Sequence, residues 1–363
     1  MGRVAGAPVV VTPSWLFAAV IFTIAFAPVV RGRAPGLSQT GVLAAAFAFV
    51  LMLFASVFLH EVAHAITARS RGHRVTELAL TLWGGHTAYS GAMRRPLDGV
   101  LIAIVGPATN LLLAAVLWGA SLLQPDRSIS ALLLFLAAFS NALVGVFNLL
   151  PGLPLDGGQI LESAVWAVTG SRTRGTVIAG WVGRVVAVGV LASALLWPLV
   201  EGRSPQWTDV VWPALIGALL WSGAGEAVKA GRRQEALAGL TVRGLAANAV
   251  AVPAGVSVAD AASAVVGQPS SAVVVVGDDG SPMGWVDPSA ASVVPAHMVS
   301  STPVDAVIVP FEPGTAIDAG LAGAEMLAHL AETSRGARLV PVVEGDRVTG
   351  VLDVARVAAA MRR

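Results

Sequence analysis

Hydrophobic residues dominate roughly the first two thirds of the chain, in long runs separated by short polar segments. A helix needs about 20 apolar residues to cross the roughly 30 Å hydrocarbon core of a bilayer. Such runs predict six membrane spans, near Pro13–Val30, Gly41–Ala65, Gly99–Leu123, Ala131–Leu149, Thr176–Val200 and Val210–Ala230. Because several runs are that long, buried helices of a soluble protein are the less favoured interpretation.

The segment Val75–Met93 has a different pattern. It contains apolar, β-favouring residues and then the sequence Trp83-Gly84-Gly85-His86, and it is too short and too glycine-rich for a spanning helix. We expect a re-entrant β-hairpin or loop here. Such a backbone is tolerated at membrane depth only where it contacts protein or a water-filled cavity.

After Ala230 the chain becomes more polar and a weak repeat appears. Two apolar strands, each followed by a turn and a second strand, predict β-hairpins at residues 273–287 and 339–353. Their equivalent glycines, Gly284 and Gly350, are 66 residues apart, which indicates two copies of one supersecondary unit. The predicted fold class is therefore an α-helical polytopic membrane protein with a C-terminal α/β domain. We expect a membrane domain at residues 1–235 and a cytosolic pair at 236–363, with repeats at about 241–300 and 301–363.

Charge refines this division. The net charge of +1 conceals a split, since residues 1–240 carry +6 and residues 241–363 carry −5. Only 12% of residues are charged and 55% are hydrophobic, which argues against a disordered chain and against a single soluble globule. With six spans both termini share one side, where 12 flanking basic residues lie. The other side has Arg31, Arg33, Arg127 and Arg203. This excess predicts cytoplasmic termini.

One pentapeptide in the second span is typical of metal-dependent hydrolysis. Residues 60–64 read His-Glu-Val-Ala-His, and His60 and His64, four residues apart on a helix, share one face and can bind one metal ion. Glu61 can then take a proton from a water whose pKa the metal lowers toward about 7. The structural alternative is a charged cluster at the cytoplasmic end of the helix.

A catalytic zinc usually has three protein ligands. The chain has no cysteine, so the third ligand must be His, Asp or Glu. The best candidate is Asp156, in a Pro- and Gly-rich segment that breaks a helix at membrane depth. Its alternative role is to cap a helix that starts near Gln159, and Glu162 is the rival ligand.

Three elements occur in an order that resembles the site-2 protease family of intramembrane zinc metalloproteases. They are the motif at residues 60–64, the sequence Gly-Pro-Ala-Thr-Asn at residues 106–110, and the segment 148–158. The resemblance implies a cytosol-facing active site and one zinc ion per chain. It assigns roles to four side chains, with Glu61 as general base and His60, His64 and Asp156 as zinc ligands.

The same resemblance implies regulated intramembrane proteolysis of a single-pass or membrane-associated protein substrate, with no role for nucleic acid. Asn148 is the candidate donor to the oxyanion, or else holds the unwound backbone. His86 is a candidate for contact with substrate, although a loop histidine without such a role is the more favoured alternative. The richness in Arg, Ala, Gly and Val indicates a GC-rich, actinobacterial-like genome, so we expect the bacterial plasma membrane.

Residues 240–363 resemble a pair of CBS modules, which often bind adenosine nucleotides. Such modules often have Thr or Ser after the last strand and, three residues on, an Asp that holds the ribose. The corresponding residues here are Asp287 and Ala290, then Asp353 and Arg356, which departs from that pattern. The alternative is a packing module that forms a homodimer without a ligand.

Two other functions fit parts of the sequence. One is a CBS-regulated channel or transporter, in which intramembrane His and Glu would form an ion or metal site. The other is an inactive, protease-like binding protein. The presence of Glu61 and all three proposed ligands argues against the second.

Overall fold

The computed structural model describes residues 2–81, 84–91, 93–126, 128–204, 206–268, 271–334 and 336–361. Trp83 and Arg127, which entered the sequence interpretation, lie outside these ranges. The chain forms two compact units, Met1–Arg232 and Arg233–Arg363.

The first unit is built on helices that follow the predicted spans. They are α1 (Ser14–Arg33), α2 (Gln39–Ser70), α3 (Pro96–Leu122), α4 (Ile129–Asn148), α5 (Asp156–Thr169), α6 (Arg172–Val200) and α7 (Trp207–Ala238). Within the described part of the chain, all except α5 are long and apolar enough to cross a membrane, six in number. The predicted polytopic helical fold is thus confirmed.

Polar residues between the runs determine where several helices begin. Ser38, Ser128 and Ser171 precede α2, α4 and α6, and each hydroxyl accepts a hydrogen bond from a backbone N–H in the first turn. This satisfies a donor that the helix leaves unpaired. Helix α5 ends at Gly170, whose left-handed backbone conformation glycine adopts without strain.

Many large apolar side chains of the spans are exposed. Phe17, Leu112, Phe139 and Val185 are each more than half accessible, although a soluble protein would bury such residues. These surfaces are suited to contact with lipid.

A four-stranded sheet lies beside the helices, in the order β1 (Arg3–Val4), β2 (Ala7–Val11), β3 (Arg74–Thr81), β4 (Gly84–Ser90). Strands β3 and β4 form the predicted hairpin, and β2 pairs with β3 in parallel. The sheet packs on α2 and α3 through a core that includes Ala7, Leu78, Ala65 and Ile102. Strand β4 is the last strand of the sheet within the described residues.

Helices α6 and α7 approach each other through glycines. A Cβ atom added at Gly180 would lie 2.7 Å from Val228 Cγ2, and one at Gly217 would lie 2.7 Å from Leu191 Cγ. Small residues of this kind let membrane helices pack backbone to backbone.

The second unit is an α/β domain. Its helices are α8 (Val242–Leu245), α9 (Val258–Ala264), α10 (Pro288–Val293), α11 (Gly323–Thr333) and α12 (Val354–Ala360), with a 3₁₀ turn at Val304–Val307. Its strands are β5 (Ala247–Pro253), β6 (Ala272–Val276), β7 (Pro282–Val286), β8 (Ile308–Pro310), β9 (Ile317–Asp318), β10 (Leu339–Glu344) and β11 (Arg347–Asp353). They form one sheet in the order β8-β7-β6-β5-β11-β10-β9. Both predicted hairpins, β6–β7 and β10–β11, are present.

Strands of the two repeats pair with each other at two places in this sheet. Strand β5 of the first repeat pairs with β6 and also with β11 of the second, while β8 of the second repeat pairs with β7 of the first. At each pairing between the repeats a glycine allows the two strands to approach closely. A Cβ atom at Gly284 would lie 2.7 Å from the carbonyl oxygen of Val309, and one at Gly350 would lie 2.7 Å from that of Ala247.

Candidate metal centre

Three side chains converge in the interior of the first unit. His60 and His64 lie on one face of α2, with their Nε2 atoms 3.0 Å apart. The Oδ2 atom of Asp156, the first residue of α5, lies 3.2 Å from Nε2 of His60 and 3.5 Å from Nε2 of His64. All three residues are buried.

These distances suit a zinc ion. Zinc–nitrogen and zinc–oxygen bonds of about 2.0–2.1 Å in a tetrahedral site place neighbouring ligand atoms about 3.3 Å apart. Within the described residues Asp156 Oδ2 is buried and has no hydrogen-bond partner, as expected of an atom placed to bind a cation. No other group of three candidate ligands occurs in the part of the chain that the structure describes.

Asp156 is held by a tightly folded loop between α4 and α5. The N–H of Leu153 donates to the carbonyl of Ala179 in α6, at 3.1 Å. Cβ atoms at Gly157 and Gly158 would collide with the loop backbone, at 2.4 and 2.2 Å respectively. The expected start of this helix near Gln159 is wrong, because the N–H groups of Gly158 and Gln159 already donate to the carbonyl of Leu155 and close the first turn.

Glu61 lies beside this centre and contacts the hairpin. The Thr87 hydroxyl is 2.7 Å from Glu61 Oε2, to which it can donate, and 3.1 Å from the Glu61 carbonyl oxygen. A Cβ atom at Gly85 would lie 2.4 Å from Glu61 Cγ, so the hairpin backbone comes directly against the Glu61 side chain. Glu61 is only 6% exposed.

A cavity of about 700 Å³ opens onto these residues. All six candidate site residues from the sequence line it, namely His60, Glu61, His64, His86, Asn148 and Asp156. His86 is exposed on β4 and Asn148 is the half-buried last residue of α4. The rival carboxylate is elsewhere, since Glu162 accepts hydrogen bonds from Arg172 Nε at 2.8 Å and from the Thr176 hydroxyl at 3.1 Å.

The sequence interpretation gave no role to several polar residues near the centre. Asn110 Oδ1 lies 2.5 Å from Nδ1 of His60, and the Ile102 carbonyl lies 2.6 Å from Nδ1 of His64. Asn110 could have been found, because a buried amide inside an apolar span needs a partner. Thr87 could not, because its position opposite Leu78 depends on the hairpin register.

Comparison with known proteins decides the family. The model of peptidase family M50 matches residues 48–129 and 124–192. Rip3 of Mycobacterium tuberculosis, which is described as a zinc metalloprotease, is 32% identical over 98% of this chain and 91% of its own. The chain belongs to peptidase family M50. This family is the site-2 protease family of intramembrane zinc metalloproteases, so the predicted enzyme class is confirmed. The M50 assignment leaves the channel or transporter interpretation without support.

Two solved structures are similar to parts of this M50 peptidase. A site-2 protease from Methanocaldococcus jannaschii is 24% identical and covers 63% of this chain and 94% of its own, with a TM-score of 0.43. The CBS domain of a membrane protein from Sphaerobacter thermophilus is 15% identical and covers 38% of this chain and 96% of its own, with a TM-score of 0.29.

Proposed function

We propose that this M50 peptidase hydrolyses a peptide bond in or near a transmembrane segment of a membrane-bound protein, with His60, His64 and Asp156 as ligands of one zinc ion. The protease domain is residues 1–235. The observation that supports the ligand set best is the convergence of the two Nε2 atoms and Asp156 Oδ2 within 3.5 Å of one another.

A zinc ion at this centre would act as a Lewis acid toward the peptide carbonyl and would make water a stronger acid. Glu61 is the general base. Its carboxylate takes a proton from the water that adds to the carbonyl carbon, and it returns that proton to the nitrogen as the C–N bond breaks. Thr87 keeps the carboxylate oriented toward the cavity. Asn148, on the cavity wall, is the proposed donor to the oxyanion.

The hairpin offers a route for presenting the substrate. A helix hides its backbone hydrogen-bonding groups, so a transmembrane substrate must unwind before cleavage. Strand β4 lines the cavity and ends the described sheet, so an extended substrate segment can pair with it as an additional strand. His86, exposed on that strand, is then in a position to contact the substrate.

We further propose that the enzyme lies in the bacterial plasma membrane with both termini in the cytoplasm. Support comes from the 12 basic residues on one side of the spans against four on the other. The predicted C-terminal domain, residues 236–363, is then cytosolic.

For this second unit we propose a CBS-like pair that binds an adenosine nucleotide. A cleft of about 550 Å³ is lined by Trp285, Asp353 and Arg356, which offer an aromatic face, a carboxylate and a cation. Asp353 and Asp287 also accept hydrogen bonds from backbone N–H groups at the starts of α12 and α10, as helix caps do. A homodimer through this unit is the alternative role.

The protease proposal is tested by separating zinc binding from cleavage. In Glu61→Gln the ligands stay, so zinc stays near one per chain, while cleavage of a co-purified single-pass substrate falls roughly 10²- to 10⁴-fold. In His60→Ala both zinc and cleavage are lost. Zinc is measured by elemental analysis and cleavage by gel in detergent micelles.

Glu77→Gln is the matched control, since Glu77 lies on β3 and is not among the residues that line the cavity. Cleavage at the wild-type rate in Glu61→Gln would rule out Glu61 as the base. Full zinc content in His60→Ala would rule out the ligand assignment.

A further inference from the structure

A chain of buried polar side chains leads from the metal centre into the surrounding helices. Asn110 in α3, Asn141 in α4 and Ser56 in α2 are 1%, 1% and 8% exposed, and we call these three residues the relay. Asn110 lies against Nδ1 of His60 at 2.5 Å. The contacts from Asn110 to Asn141 and from Asn141 to Ser56 are both 2.9 Å. Polar groups are expensive inside apolar spans, so a connected set of this kind needs a specific reason.

Two backbone carbonyls at the far end fix the direction of every hydrogen bond in the relay. The Ser56 hydroxyl lies 2.9 Å from the carbonyl oxygen of Met52. The Asn141 amide nitrogen Nδ2 lies 2.8 Å from the carbonyl oxygen of Ala137 and 2.9 Å from Ser56 Oγ. A carbonyl oxygen can only accept. Ser56 therefore uses its one hydrogen on Met52, and its oxygen must accept from Asn141.

The direction of these hydrogen bonds also determines which atom faces the histidine. Because both hydrogens of Asn141 Nδ2 are used, its Oδ1 atom is the acceptor that faces Asn110. Asn110 donates to it through Nδ2 and consequently presents Oδ1 to His60. An oxygen acceptor at Nδ1 requires that Nδ1 carry the proton. Nε2 of the neutral ring then has a free lone pair, and it is this atom that faces Asp156.

We propose that the relay is a positioning device for zinc, which holds His60 in the tautomer protonated on Nδ1 and so keeps Nε2 open to the metal. This inference rests on the proposed role of His60 as a ligand. His64 reaches the same state by a shorter route, through the carbonyl of Ile102. Of the two histidines, only His60 has its Nδ1 atom bonded to a side chain within the described contacts, so a mutation of that side chain can change its tautomer.

The relay has a second consequence for geometry. It joins α2, α3 and α4 at the level of the metal centre, where a Cβ atom at Gly106 would lie 2.3 Å from His64 Nε2 and 2.6 Å from His60 Nε2. The absence of a side chain at Gly106 lets α3 approach the two imidazoles. Asn110, one turn further along α3, is thereby brought within hydrogen-bond distance of His60.

The test measures zinc affinity in the full-length protein, purified in detergent, by competition with a fluorescent chelator. In Asn110→Leu the amide is replaced by an apolar side chain of similar size, and the zinc dissociation constant rises roughly 10- to 100-fold. In Asn110→Asp a carboxyl oxygen still accepts from Nδ1, so affinity stays within a few-fold of the wild type. Asn141→Leu, one link further away, gives a smaller rise.

Thr109→Val is the matched control, because it removes a hydroxyl from the neighbouring position of α3 that bonds only to the Val105 carbonyl in the described structure. Affinity in this variant stays at the wild-type value. The thermal midpoint of each zinc-free variant is recorded alongside. Nitrogen-15 NMR of labelled histidine in the zinc-free protein reports the tautomer directly, with Nδ1–H at His60 in the wild type and a shift toward Nε2–H in Asn110→Leu.

Each outcome is decisive. Wild-type zinc affinity in Asn110→Leu, or an unchanged His60 tautomer, would overturn the relay even if the thermal midpoint fell, since a merely structural role predicts that combination. Unchanged zinc binding in His60→Ala would instead overturn the ligand assignment and the relay with it. Loss in His60→Ala with no loss in Asn110→Leu overturns the relay alone.

Discussion

At the scale of single residues, the proposed general base contacts a threonine from another element. Glu61 is buried on α2, and the Thr87 hydroxyl of β4 contacts both its carboxylate and its carbonyl oxygen. A hydrogen bond to a charged group contributes about 1.5–3 kcal/mol, more than a neutral one. A hydrogen bond of this strength is sufficient to favour one orientation of the Glu61 side chain over the others.

Replacing Thr87 by Val keeps the shape of the side chain and removes the hydrogen bond. We expect kcat for substrate cleavage to fall roughly 10- to 100-fold, since each tenfold change corresponds to about 1.4 kcal/mol. KM and zinc content stay unchanged. Thr87→Ser restores the hydroxyl and most of the activity. Steady-state kinetics with elemental analysis checks this, and a Val variant with wild-type kcat would remove Thr87 from the mechanism.

The sequence predicted those parts of the metal centre that depend on residues close together in the chain. The four-residue separation of His60 and His64 requires a shared helix face, and the Pro- and Gly-rich context indicated Asp156 over Glu162. The amide of Asn110 inside an apolar span indicates that it has a partner, but the identity of that partner, like the contacts of Thr87, depends on how the helices and the hairpin pack. Asn110 meets Asn141 across two helices, and nothing in either local sequence encodes that pairing.

At the scale of elements, the position of Asp156 depends on a glycine of α6. A Cβ atom at Gly183 would lie 2.0 Å from the carbonyl oxygen of Leu153, and one at Gly152 would lie 2.5 Å from the Cα atom of Gly183. Both partners are backbone atoms, so neither can rotate away. Helix α6 and the loop before α5 therefore fit together only while these positions lack side chains.

Gly183→Ala consequently forces the loop away from α6 and shifts Asp156. We expect zinc content and cleavage to drop together, with zinc well below one per chain by elemental analysis. Gly189→Ala is the control on the same helix, because a Cβ atom there meets nothing within 4 Å. It should be neutral or slightly stabilising, since Ala favours a helix over Gly. Equal zinc content in the two variants would contradict this account.

The elements themselves were predicted where the pattern is local. Long apolar runs predicted the membrane spans, and the glycine-rich segment predicted the hairpin of β3 and β4. Strands β1 and β2 were missed because β2 is stabilised by parallel pairing with β3, as at Val9 and Leu78, which are distant in sequence. A five-residue strand is too short for its alternation of apolar and polar residues to be recognised in the sequence.

At the scale of the whole molecule, the chain combines a membrane protease with a unit that has its own core. Buried residues such as Val274, Val275, Met326 and Leu352 belong to the second unit. Its weak repeat was visible in the sequence through the two hairpins. The pairing between the repeats was not, because β8 is too short to predict from pattern and because β5 and β11 are distant in sequence.

The nucleotide proposal belongs to this scale and is tested by titration calorimetry on the full-length protein. We expect AMP or ATP to give a saturable heat that Arg356→Ala removes, since the guanidinium is the cation in the cleft. Arg347→Ala, an exposed arginine of β11 outside the cleft, is the control. No heat at millimolar nucleotide would reject this ligand and leave dimerisation as the proposed role of the unit.

The pairing of strands between the two repeats also bears on how the second unit folds. Each repeat, about 60 residues long, pairs with the other in one continuous sheet, and chains of that size bury a smaller fraction of their surface alone than larger domains do. Unfolding of the first repeat would remove β5, the neighbour of β11, and unfolding of the second would remove β8, the neighbour of β7. Either event would leave a strand of the other repeat without one of its partners. The two copies consequently gain or lose order together, as one cooperative unit, although the sequence reads as a duplication.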